Sequence, residues 1–161
     1  MTGLTMLRAV VLTAVTAVFS AATPGPVRTL RDFTIADLDG RATDAAVLAK
    51  TGKWTLVYVT PRCVSCDVVL ASWHVDDPQS MAAQTVVIVG HASPEEARAL
   101  QARTPSLNQA TWYVDTGRVV EQALDTHGAP IILGLTDRSI VWTTRGALPI
   151  ARSVVVDWLT R

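Results

Sequence analysis

The stretch from Trp54 to Trp73, WTLVYVTPRCVSCDVVLASW, constrains this chain more than any other. Its first seven residues, Trp54 to Thr60, are rich in β-branched and aromatic side chains. That is the pattern of a strand buried on both faces. The second half sets Cys66, Val69, Leu70 and Trp73 at helical spacing, with Asp67, Ser72 and His74 elsewhere on the wheel. Between the halves stands Cys63-Val64-Ser65-Cys66, which holds both cysteines of the chain. A Cys-x-x-Cys at a strand-to-helix junction reads as a thiol–disulfide active site.

The spacing carries the chemistry. Two intervening residues let one helical turn bring the sulfurs within bonding distance. The first cysteine then sits at the helix N-terminus, where free backbone N–H groups and the helix dipole favour a thiolate. Arg62 adds a positive charge next to Cys63 and favours the thiolate further. The thiolate is the attacking species, so Cys63 is the expected nucleophile and Cys66 the resolving thiol.

The chain has 161 residues, enough for one domain with a core, and its 14 basic and 14 acidic side chains balance. No basic face points to nucleic acid. Residues 1–22 have the composition of an export signal or N-terminal membrane anchor. Arg8 supplies the positive start, Ala9 to Ala22 is uncharged and apolar or small, and Ser20-Ala21-Ala22 offers a cleavage site. Fourteen residues, 9–22, are short for a spanning helix, which needs about 20. Export would place the domain where disulfide chemistry is permitted. Residues 23–30, with two prolines and a glycine, read as a linker before a domain at 31–161.

Along that domain, Asp32 to Leu38 alternates like a peripheral strand, and Asp39-Gly40 signals a hairpin turn. Thr43-Asp44 is expected to cap a short helix through Ala49, with Gly52 as its stop. After the redox helix, Asp76-Asp77-Pro78 ends that region. Thr85 to Gly90 reads as a buried strand. Ser93-Pro94-Glu95-Glu96 starts a helix that reaches about Arg103: Ser93 is the N-cap, Pro94 the first position, and Glu96 closes a capping box. Thr111 to Val114 is a short strand and Val119 to Leu124 a short helix. Ile131 to Leu135 and Ile140 to Thr143 form an antiparallel hairpin across Asp137-Arg138-Ser139. Pro149 opens a last helix. Strands alternating with helices predict a mixed α/β sheet covered on both faces, with ligands at the carboxyl ends of the strands.

Three features together resemble the thioredoxin-like proteins of the exported TlpA/ResA type and the related MauD type. One is Asp32-Phe33 through Asp37-Leu38-Asp39-Gly40, similar to that family's opening hairpin. The second is the strand–TPRCVSC–helix unit. The third is Gly128-Ala129-Pro130-Ile131-Ile132-Leu133 followed by a turn and a strand. The resemblance covers about Asp32 to Leu159. It implies a thioredoxin-like fold with an N-terminal β-hairpin extension and a cis-proline, Pro130, beside the redox pair. It implies that Ala129 offers backbone hydrogen bonds to a client chain. The implied activity is extracytoplasmic thiol–disulfide exchange on client proteins, with a membrane redox partner and no small-molecule cofactor.

The chain also departs from that family. Arg62 stands where the family usually has tryptophan. The family's proton-transfer acids are replaced by Val57 on the central strand and Val69 three residues after Cys66. His127, three residues before Pro130, is the candidate substitute, with a surface loop histidine as the plainer reading.

Other readings remain open. A structural disulfide across two residues would close a tiny loop and remove little chain entropy. A metal centre needs about four ligands, and besides the cysteines only His74, His91 and His127 are available, so no metal site is expected. Copper delivery through the cysteines and one histidine is a weaker form of that idea. Thr60-Pro61-Arg62-Cys63 resembles a peroxiredoxin site, although Leu56-Val57-Tyr58-Val59 lacks the proline that family carries. The resemblance to MauD-type proteins also implies a second reading, an accessory factor that matures a single client. The five tryptophans read as core.

Overall fold

A computed structural model describes residues 28–48, 50–73, 78–125, 127–146 and 150–161. The expected signal or anchor at 1–22, most of the linker, His74, Asp76-Asp77 and Pro149 lie outside the described residues. No helix among the described residues is long and apolar enough to cross a membrane.

In chain order the strands are β1 (Arg28–Thr29), β2 (Thr34–Asp37), β3 (Ala42–Asp44), β4 (Lys53–Val59), β5 (Thr85–Gly90), β6 (Thr111–Asp115), β7 (Ile131–Thr136) and β8 (Ser139–Arg145). The helices are α1 (Val64–Ala71), α2 (Pro78–Ala83), α3 (Pro94–Ala102), α4 (Val119–Ala123) and α5 (Ile150–Thr160). The strands form one mixed sheet in the order β1-β8-β7-β4-β5-β6-β2-β3. β4, β5 and β6 run parallel, and every other pairing is antiparallel.

β4 is central, and its alternation divides the core in two. Trp54, Leu56 and Tyr58 pack on one face with Phe33, Ile35, Val86, Ile88, Ile131 and Leu133. Val57 and Val59 pack on the other with Val87, Val89, Val114 and Ile132. Cys66, Val69 and Leu70 of α1, Ala97 and Leu100 of α3, and Val155 of α5 cover that second face. Each large aliphatic side chain buried this way contributes about 1.5–3 kcal/mol. A continuous apolar run therefore becomes a strand here because both faces are covered.

β2 and β3 form the N-terminal hairpin, with Thr34 opposite Asp44. Asp37 Oδ1 accepts from the Asp39 and Arg41 amides at 2.9 and 2.8 Å, and Gly40 takes φ +80°. The turn thus uses a side-chain acceptor and a residue free to adopt left-handed backbone.

Two expectations need correction, and one element was not anticipated. Thr43 and Asp44 belong to β3, because the hairpin register carries pairing through Asp44. The helical turn after it is a single 3-10 turn, Ala45–Leu48, and Asp44 Oδ1 still accepts from the Ala46 amide at 3.2 Å. Residues 28–30 are part of the fold and not of a linker. Arg28 and Thr29 pair with Ile140 and Ser139, and Leu30 is buried. The Arg138 guanidinium secures the segment by donating to the Leu30 carbonyl at 2.8 Å and to Asp32. Finally, Pro78 opens α2, which the sequence reading did not anticipate.

Candidate functional site

β4 ends at Val59, and Thr60-Pro61-Arg62 leads the chain over the sheet's carboxyl edge into α1. Arg62 takes φ +61°, a left-handed conformation that turns the chain sharply before Cys63. Cys63 is the N-cap of α1, with extended backbone at φ −102°, ψ 103°. Its sulfur accepts from the Cys66 amide at 3.1 Å, the bond an N-cap oxygen would ordinarily make. Cys63 and Cys66 form a disulfide with their Cα atoms 5.1 Å apart. Cys66 is 1% exposed among Val57, Val69 and Leu70, whereas Cys63 is half-buried. Val64, between the cysteines, is 79% exposed, and Val68 one turn on is 55% exposed.

The second wall is the segment before β7. The Ala129–Pro130 peptide bond is cis. Cys63 Sγ lies 3.7 Å from the Ala129 carbonyl oxygen, across 66 residues of sequence. Gly128, at φ +85°, supplies the left-handed backbone this approach requires.

A cleft of about 580 Å³ opens beside the pair. Thr60, Pro61 and Arg62 form one wall, and His127, Gly128 and Ala129 form another. The rest comes from His91, Glu96, Arg118 and Glu121. His91 follows β5 and Arg118 follows β6, so both stand at carboxyl ends of parallel strands. Arg118 Nε donates to His91 Nδ1 at 3.4 Å, and His91 Nε2 lies 3.4 Å from Glu121 Oε1. Glu96 Oε2 accepts from the Ser93 amide at 3.0 Å, completing the capping box of α3. Its other oxygen lies 3.9 Å from Arg62. Asp115, buried at the end of β6, accepts from the Gly117, Val119 and Val120 amides and so fixes the turn that carries Arg118.

Beneath this wall the Tyr58 hydroxyl is buried with no hydrogen-bond partner. Burial raises its pKa well above the ordinary value, and the carboxylates of Glu121 and Asp115 add to the shift. A Cβ at position 90 would collide with that hydroxyl, so β5 ends in Gly90.

The site residues read from sequence are therefore unequal in placement. Cys63, Cys66, Ala129 and Pro130 come together. Arg62 adjoins Cys63 in sequence, but its side chain is 91% exposed and reaches toward Glu96. His127 is exposed on the cleft wall. Val57 and Val69 occupy the family's acid positions as core residues. The sequence reading did not mark Arg118, Glu121 or Glu96 as site residues. Their signal was position: two parallel strands of the predicted sheet end where ligands bind.

No protein-family model matches this sequence, and no curated protein matches it. Solved structures do. A structure described as a candidate thiol:disulfide interchange protein DsbE from Chlorobium tepidum superposes with TM-score 0.67 at 13% identity, covering 85% of this chain and 96% of that one. A secreted Mycobacterium tuberculosis disulfide oxidoreductase homologous to E. coli DsbE gives TM-score 0.61 at 17% identity, covering 78% and 95%. The pneumococcal exposed lipoprotein thioredoxin Etrx1 gives 0.56 at 14%, covering 79% and 99%. At these identities the likeness shows the fold, which is thioredoxin-like with an N-terminal hairpin, as the resemblance implied.

Proposed function

We propose that the chain is an extracytoplasmic thiol–disulfide oxidoreductase acting on client proteins. The observation that carries this reading is Cys63: its half-buried sulfur is bonded to a covered Cys66 and lies 3.7 Å from the Ala129 carbonyl at the cis-Pro130 turn. External attack therefore falls at Cys63, and a client chain has backbone to pair with at Ala129. The thioredoxin-like fold supports the reading, as do the apolar residues 9–22 and the secreted and surface-exposed neighbours for export.

In the reducing direction the Cys63 thiolate attacks one sulfur of a client disulfide. That disulfide breaks, a Cys63–client bond forms, and the second client sulfur leaves as a thiolate. Cys66 gives up its proton and attacks Cys63. The intramolecular disulfide forms and the first client sulfur is released. Two electrons pass from the pair to the client. Oxidation of a client runs the same steps backwards. The hydrogen bond that the Cys66 amide donates to the Cys63 sulfur supports the attacking thiolate. No small-molecule cofactor is needed; a redox partner, membrane-bound in the reductive case, exchanges electrons with the pair. His127 takes the proton-transfer role left vacant by Val57 and Val69, since it lies exposed in the same cleft as Ala129. His127→Ala is expected to slow exchange at neutral pH, and an unchanged pH–rate profile would remove His127 from the mechanism.

The test is the equilibrium reduction potential of the Cys63–Cys66 pair in the full chain, by thiol trapping in defined redox buffers. A value near about −270 mV makes it a reductant that a membrane donor must recharge. A value near about −120 mV makes it an oxidant that installs disulfides. If no disulfide forms at any buffer poise, the oxidoreductase reading fails.

A further inference from the structure

We infer that the cleft beside Cys63 selects clients carrying acidic side chains next to the reacting cysteine, with Arg118 and Arg62 as the selecting charges. The inference rests on the oxidoreductase reading and names the class of client the site prefers.

The cleft's charges are unequal in what they offer a ligand. Both carboxylates are engaged by the protein. Glu96 is held by the Ser93 amide and faces Arg62, and the Glu121 side chain is only 13% exposed and faces His91. The cations are presented outward. The Arg62 side chain is 91% exposed with its one carboxylate partner at 3.9 Å. Arg118 is exposed and makes no ion pair among the described residues; its Nε donates to His91. A chain entering the cleft therefore meets two outward guanidinium groups, while the Glu121 carboxylate is largely covered and Glu96 faces Arg62.

The backbone points the same way independently. Five non-glycine residues among those described have positive φ, and three of them line this cleft: Arg62 at 61°, His91 at 55° and Arg118 at 61°. Each conformation would be easier for glycine or asparagine. Left-handed non-glycine residues collect at ligand sites, where the side chain is needed despite the backbone. Here the side chains retained are the cleft's cationic and imidazole groups.

Position decides which part of a client they meet. Arg62 precedes Cys63, and Ala129, which lies against the Cys63 sulfur, lines the same cleft. A client bonded to Cys63 and running along Ala129 places its neighbouring side chains between the two arginines. Rim charges of this kind act mainly on the rate of encounter.

The experiment uses the reduced full chain and three synthetic peptide disulfides. In each, the cysteine is flanked by two Glu, two Gln or two Lys residues. Second-order exchange rates are measured at low ionic strength and in high salt. The Glu peptide is expected to react about tenfold faster than the Gln peptide and the Lys peptide slower still, with the spread shrinking in salt. Arg118→Asn, which suits the left-handed backbone, is expected to reduce the Glu-to-Gln ratio, and Arg118→Lys to retain most of it. Equal rates for the Glu and Gln peptides overturn the inference and leave the oxidoreductase reading standing. A ratio unmoved by Arg118→Asn overturns the role of Arg118. Exchange with none of the peptides overturns the oxidoreductase reading and this inference with it.

Discussion

Tyr58 illustrates how one residue can stabilise and burden the same fold. Its ring fills the core under the cleft and sits over Gly90, yet its hydroxyl finds no partner among the described residues. Burying a hydroxyl unpaired costs about 1–3 kcal/mol. Tyr58→Phe keeps the ring and removes that cost, so the variant is expected to unfold at higher denaturant, by about 1 kcal/mol. The substitution also tests pH dependence. The folded-state pKa of Tyr58 is raised, first by burial and then by Glu121 and Asp115. The unfolded chain therefore releases this proton at lower pH than the folded one. The stability linked to it is intact below about pH 10 and is lost as pH rises further. Tyr58→Phe should flatten that alkaline loss, measured as denaturation midpoints from neutral to alkaline pH. Tyr113, also raised by burial, keeps some of the slope in the variant. An identical slope in both proteins would show that Tyr58 does not control it.

At the scale of elements, the cleft depends on short pieces held by single side chains. α4 has only five residues, Val119–Ala123, and Arg118 at its N-cap makes no side-chain capping bond. Asp115 does that work from the end of β6 with three amide acceptor bonds of 3.0–3.2 Å. Asp115→Ala strands three amides and is expected to cost about 2–3 kcal/mol in denaturant unfolding. Asp115→Asn keeps one acceptor oxygen and should fall between the two. A loss below about 0.5 kcal/mol for the alanine variant would mean that water replaces the carboxylate readily.

The same scale shows why some elements were legible in the sequence and others were not. The capping box at Ser93 and Glu96 is a local code, and its helix formed as read. Gly40 marked its turn for the same reason. Thr43-Asp44 carried an equally local helix signal, but strand pairing with Thr34 and Ile35 overrode it. Arg28-Thr29 had no strand signal at all. Its pairing is supplied by β8 and Arg138, more than a hundred residues later.

For the whole molecule, the Cys63–Cys66 pairing was readable because strand, turn and helix are contiguous. Pro130 was readable only through the resemblance, since its place beside Cys63 depends on β7 pairing with β4. Of the cleft, Arg62, His127 and Ala129 were marked, through their places before Cys63 and Pro130; Arg118, Glu121 and Glu96 were not, because they come from separate segments. Nothing in their local sequence says that the sheet order will gather them. The chain's high apolar content is likewise shared between two cores divided by one strand, which composition alone does not reveal.

That arrangement sets a timetable for synthesis. β4 lies between β5 and β7, with Lys53 opposite Thr136 and Tyr58 opposite Ile131. A nascent chain that has not yet emerged past residue 136 has its middle strand bare along one side. Such a chain buries only part of either core and lacks the Ala129–Pro130 wall of the site. Ribosome-bound chains ending near Asp125 are expected to remain protease-sensitive, and full-length chains to become resistant; equal resistance in both would contradict this order of assembly. Neither core can close before β7, at Ile131–Thr136, takes its place beside β4, so the sheet is completed only when most of the chain has been made.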